Sequence, residues 1–457
     1  YFNQHAGTIA LFSYLKPHFP DFPATALDRH TLFNHLFPKQ PYDEQKLYEH
    51  IYYLRKLLRQ FLVQQAFSEN DFQQELLYLG QLRRRGQDQL YRQRLPKLQR
   101  KIATQKDRDE AYLHRRYLLA SEGERYFTSH IQESQRTTDV FLQEKVDFLE
   151  QHYLAVRFKY SCEMLNRENI LRAGYDLQGL PEAMHYYAAH PDRFQNAPAV
   201  NNYYLILKTL QESENESHYS ELLALLDREA DKFPPEEARS MYYFAQNYCI
   251  GRINQGQTDW FRRLFDLYRV LLDKGLMLQQ GRLSQWDYKN IVTAGLRLEK
   301  YDWTRSFIEE YQHRLAPEHR ANAYAYNLAT WQYATGDRAQ AQRLLQNVEF
   351  TDTSYQLGTR SILVMIYYEE DAMQPFFSAV DAFRIYLHRN KLLSERQTRL
   401  HKNFLRLVAR MYKLRLRRMA SRSKKVREDC ENLARQVETA EDVANIVWLR
   451  KMGKRAV

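Results

Sequence analysis

The stretch AYNLATWQYATGDRAQAQRLLQNV, residues 325–348, decides the fold class. Small and apolar residues recur at helical spacing on both sides of Gly336-Asp337, a pair suited to end one helix and begin the next. Gly accepts a positive φ at a helix end without steric cost, and Asp can accept from the free amides of a first helical turn. Ala329 and Ala341 are small enough for two helices to approach closely. Upstream, YKNIVTAGLRLEKYDWTRSFIEEY (288–311) and FAQNYCIGRINQGQTDWFRRLFDLY (244–268) read the same way. Asn247, Asp259, Trp260 and Tyr268 recur 43 residues later as Asn290, Asp302, Trp303 and Tyr311, and Asn290 recurs 37 residues later as Asn327. A further step of 34 reaches Ser361 and carries Ala341 to Pro375. Helix-turn-helix units of this period stack, because each buries its apolar face only against its neighbours.

Asn327-Leu328-Ala329 followed by Gly336-Asp337 resembles the tetratricopeptide repeat, with Ala341, Leu345 and Val348 at the packing positions of the second helix. The resemblance covers about residues 199–390. The NYCI, YKNIV and YNLA blocks also resemble those of an uncharacterised bacterial family, a likeness that brings no function with it. The resemblance implies an all-α, tetratricopeptide-like α-solenoid of antiparallel helix pairs, acting as a scaffold for protein–protein interaction. In that family the first helix of each pair lines a concave peptide-binding groove. By this resemblance the groove face carries Asn247, Lys289, Asn290 and Arg297, then Tyr326, Asn327, Tyr333 and Arg360. An Asn there offers a donor and an acceptor to a peptide backbone, and Lys289 and Arg360 are placed to meet a carboxylate. Thr293 and Thr330 stand where peptide-clamping members carry a second Asn. The alternative is that the repeated Asn serves the packing of the repeat itself. Trp260, Trp303, Tyr268 and Tyr311 read as packing residues, since they recur with the repeat.

The rest of the chain divides around this array. Residues 1–195 read as an irregular helical N-terminal region, 196–400 as the repeats, and 401–457 as basic C-terminal capping helices. In the first part Leu47, Ile51, Leu54, Leu58, Phe61 and Leu62 form one helical stripe, and a second long pattern begins near Thr137, Thr138 or Asp139 as its cap. Between them the charge-rich segment 81–119 reads as an exposed hairpin with Pro96 at a bend or helix start. A cluster of helix breakers at 188–200 suggests the boundary.

Composition narrows the function. Three isolated cysteines in 457 residues argue against a disulfide framework or zinc site and fit a reducing, cytoplasmic setting. The longest apolar stretch, near 362–368, is far too short for a transmembrane segment. The chain opens at Tyr1 rather than Met, which points to a removed upstream segment. No phosphate loop, zinc-hydrolase, nucleophile-elbow or CxxC motif is present, so no enzyme and no cofactor is expected. The net charge of +11 favours an acidic partner. From Lys402 to Arg427 there are eleven Lys or Arg and no acid, with Phe404, Leu407, Val408, Met411 and Leu414 on one stripe. Arg406, Arg410, Lys413, Arg417 and Arg418 are therefore candidates for polyanion binding, and RNA- or ribosome-associated binding is the alternative function. A second basic stretch, Arg83–Arg85 with Arg92, Arg94, Lys97, Arg100 and Lys101, is interrupted by Asp88.

Overall fold

The structure, a computed structural model, describes residues 5–130, 140–171, 174–346, 352–421 and 423–456. Among them are twenty-one α-helices, four short 3-10 turns and one two-stranded hairpin, so the protein is all-α. No helix among the described residues is long and apolar enough to cross a membrane. The chain forms two compact units, Tyr1–Pro234 and Pro235–Val457.

The first unit carries α1 (Ala6–Leu15), α2 (Arg29–Leu36), α3 (Glu44–Glu69), α4 (Asp71–Arg84) and α5 (Asp88–Ala103). It continues with α6 (Glu110–Ser129), α7 (Val140–Leu171), α8 (Leu180–Ala189), α9 (Pro198–Gln211) and α10 (Glu216–Glu229). Side chains of Asp28, Asp43, Asn70, Asp109 and Asn215 accept from first-turn amides and so set five of these starts. The cap candidates Thr137, Thr138 and Asp139 lie outside the described residues. Leu11, Leu32, Phe33 and Leu47 form a small core between α1, α2 and α3. The stripe on α3 is buried only at its start. Leu58, Phe61 and Leu62 stay exposed, because the 26-residue helix outruns the 10- and 8-residue helices packed on it.

The charge-rich segment 81–119 comprises the end of α4, all of α5 and the first half of α6, and it is not an exposed hairpin. Tyr91, Leu95, Leu98 and Ile102 are buried, and Pro96 sits inside α5 rather than at a bend or start. Its basic side chains are largely engaged within the protein. Arg83 Nε lies 2.8 Å from Oε1 of buried Glu122, Arg94 pairs with Glu75, Lys101 with Asp71, and Arg92 donates to the Tyr126 hydroxyl. The helix pair α9–α10, grouped with the repeats by sequence, packs through α9 on α7, and the two units part at Pro234-Pro235.

The second unit runs α11 (Pro235–Asn254), α12 (Trp260–Asp273), α13 (Gln285–Arg297), α14 (Tyr301–Tyr311), α15 (Pro317–Thr335) and α16 (Arg338–Gln346). Then follow α17 (Thr353–Glu369), α18 (Met373–Arg389), α19 (Glu395–Ala420), α20 (Lys424–Glu438) and α21 (Ile446–Ala456). Gly256, Glu299, Gly336 and Asp371 all take positive φ, each in the turn between an odd-numbered helix and the next. They lie 43, 37 and 35 residues apart. The first two steps are those of the Asn series. The third is one residue longer than the sequence step of 34, so Ala341 corresponds to fully buried Phe376 rather than Pro375.

Each of these helices packs on its successor from α11 to α21, and α13, α15 and α17 also pack on one another in turn. Ala329 and Ala341 are fully buried, Leu345 nearly so, and Val348 lies outside the described residues. Close approach is also built into α13 and α14, where a Cβ on Gly295 would overlap Thr304 Oγ1. Trp260 meets Tyr248 edge-on, and Trp303 bridges Phe265 and Phe307 from successive pairs, so both serve packing.

Candidate ligand-binding cavity

The second unit carries a cavity of about 520 Å³ that opens to solvent, a size typical of small-molecule sites. Helix α13 contributes Lys289, Thr293, Leu296 and Arg297, one and two turns apart on one face. Tyr326, Thr330 and Tyr333 come from the matching face of α15, and Ser354, Leu357 and Gly358 from the start of α17. The far wall comes from the C-terminal helices: Gln397 and His401 on α19, and Val447, Trp448 and Lys451 on α21.

Lys289 is held between two rings, with Nζ 5.3 Å from the Tyr326 centroid and 5.1 Å from that of Tyr355. It donates to Ser354 Oγ at 2.6 Å and to Ser354 O at 3.1 Å. Burial disfavours its charge and lowers its pKa to about 8, against a weaker pull from Asp352. Arg297 keeps access to solvent, yet the crowding walls push its pKa down. It has no hydrogen-bond or ion-pair partner among the described residues. His401 Nδ1 lies 2.9 Å from the Gln397 carbonyl, which can only accept, so Nδ1 carries the proton. Burial and then nearby Lys289 lower its pKa. The Thr293 and Thr330 hydroxyls donate back to the carbonyls of Lys289 and Tyr326. No Asp or Glu lines the cavity among the described residues.

Glu369 braces the wall from behind. It accepts from Tyr333 at 2.6 Å, Trp448 Nε1 at 2.7 Å and Arg338 Nε at 2.8 Å. Burial pushes its pKa up, but these three donors outweigh it and hold the carboxylate below its usual range. The indole thereby fixes α21 to α17. Tyr326 packs so closely over Gly358 that a Cβ there would overlap its hydroxyl.

Of the residues the sequence placed on a peptide face, the cavity gathers Lys289, Arg297, Tyr326 and Tyr333. The repeated Asn residues do not join them. Asn247 and Asn290 are exposed elsewhere on α11 and α13. Asn327 is buried, with Nδ2 donating to Ala323 O at 2.8 Å. Arg360 stacks over Tyr386 at 4.5 Å, also outside the cavity. His401, Trp448 and Lys451 were missed because their sequence neighbourhood marks only a closing helix. The lone Trp448 on that amphipathic stretch was the available signal.

On α19 the stripe Phe404, Leu407, Val408, Met411 and Leu414 is buried. Arg406, Arg410, Lys413, Arg417 and Arg418 are exposed, although Arg410 donates to Gln436 and Arg417 pairs with Asp429 at 3.2 Å. Cys162, Cys249 and Cys430 are buried, and none of them forms a disulfide among the described residues. No family model, curated protein or solved structure matches this chain.

Proposed function

We propose that the second unit is a tetratricopeptide-like α-solenoid acting as a non-enzymatic scaffold, which holds a peptide segment of a protein partner on the face bearing the cavity. The recurrence of positive-φ turns and the packing of α13, α15 and α17 on one another support the repeat reading. The observation that carries the binding reading is the convergence of Lys289, Arg297, Tyr326 and Tyr333 on one cavity. These residues are spread over 45 positions of sequence, and they meet only because successive first helices present matching faces. Replacing Lys289 by Glu together with Tyr326 by Ala should abolish capture of the partner from a native lysate while the helical circular dichroism is kept. Undiminished capture by that double variant refutes the reading.

A second reading rests on the exposed basic face of α19. There the ligand is RNA or a ribosomal surface, met by Arg406, Arg410, Lys413, Arg417 and Arg418. Replacing Arg410, Lys413 and Arg417 with Glu should weaken RNA binding and flatten its salt dependence. An unchanged salt slope removes this reading.

A further inference from the structure

The cavity has a chemical polarity that the peptide reading does not use. Arg297, Lys289 and Lys451 approach it from α13 and α21, and no acid among the described residues lines it. Opposite polar character comes from Leu357, Ile362, Met365 and Val447, which give the same cavity an apolar wall. Trp448, fixed by Glu369, and His401 complete the enclosure. The Thr293 and Thr330 hydroxyls have already donated to their own helix, so an entering anion has to be met by the cations. We propose that this cavity is a binding site for a small amphiphilic anion, a carboxylate or phosphate borne on an apolar body. Arg297 makes the principal ionic contact, since its planar fork suits either headgroup and it has no partner among the described residues. Lys289 and Lys451 add charge from either side, and the apolar body lies against α17 and α21.

The test is isothermal titration of the full chain at pH 7 with octanoate, octyl phosphate, octanamide and octylammonium. The site predicts binding of octanoate or octyl phosphate, with the tighter of the two naming the headgroup, and octanamide at least about tenfold weaker. Octylammonium should give no heat. Arg297→Gln and Lys451→Gln should each weaken the anion by roughly fivefold or more. Both residues are exposed, so neither change should unfold the chain. Arg262→Gln, exposed on α12 and outside the cavity lining, should leave affinity unchanged. Equal binding of octanamide, indifference to Arg297→Gln, or no binding by either anion overturns the proposal. The inference shares its cavity with the peptide reading but can fail separately. Failure of both anions, with partner capture still lost in the Lys289→Glu and Tyr326→Ala variant, overturns the small-anion site alone. Anion binding with capture unchanged overturns the peptide alone.

Discussion

Lys289→Met should make the second unit more stable, although it deletes two hydrogen bonds. The lysine is partly buried, and burial lowers its pKa from 10.5 to about 8. At pH 7 the folded protein therefore holds a proton there at a cost of about 3 kcal/mol relative to the unfolded chain. Losing the two bonds to Ser354 costs about 2 kcal/mol. Met keeps the stem packed between Tyr326 and Tyr355, so the variant should gain about 1 kcal/mol at pH 7. The sign of the pH dependence follows. Between the folded pKa and 10.5 the unfolded lysine binds more protons than the folded one, so the wild-type chain gains stability as pH rises. By about pH 9.5 the advantage of Met should have largely vanished. Urea unfolding followed by tryptophan fluorescence reads this directly, because all five tryptophans lie in the second unit. A variant less stable at pH 7, or a difference that does not shrink by pH 9.5, refutes the reasoning.

The same proton governs ligand affinity. An anion in the cavity should bind more weakly as pH rises through about 8, because Lys289, facing Asp352, His401 and the two tyrosines, loses its charge. Calorimetry at pH 7 and pH 9 checks this, with Lys289→Met as the pH-insensitive control. Gly358→Ala should displace the Tyr326 ring at a cost of about 1–3 kcal/mol. Adding Tyr326→Phe should recover part of that in urea unfolding. Glu299→Gly should stabilise the second unit by about 0.5–1 kcal/mol, since Glu299 holds a positive φ where two sister turns carry Gly. In the first unit, Glu122→Ala should cost about 2–3 kcal/mol by stranding Arg83, read as a lower urea midpoint in far-ultraviolet circular dichroism.

How far the sequence reaches depends on the range of the interaction being read. Turns and helix faces are local, so the Gly336 turn, the buried stripe on α19 and the shared face of Lys289, Arg297, Tyr326 and Tyr333 were all legible. The repeated Asn was legible as a spacing but not as an environment. Asn290 is exposed on α13, while Asn327, one step later, is buried near Tyr355 of α17. Nothing in either residue's neighbourhood encodes that difference; it depends on what the following helix carries. The far wall lay further out of reach, because Trp448 and Glu369 meet across 79 residues.

The two basic features of the second unit carry very different information. The exposed cations of α19 sit where water solvates them, so the fold tolerates them at little cost and their presence constrains function weakly. Lys289 sits where burial disfavours its charge. Neutral residues at that position would satisfy packing better, as the Lys289→Met prediction makes quantitative. Around that charge the described residues place Ser354, the rings of Tyr326 and Tyr355, and a weaker effect of Asp352, with no ion pair. Arg297, two turns along the same face of α13, lines the same cavity without a partner among the described residues. Two cations on one cavity with no lining acid among those residues are the physical ground for the proposed anionic ligand. Local consistency of sequence and fold breaks most informatively here, and that is the physical reason to test this cavity before the more conspicuous basic helix.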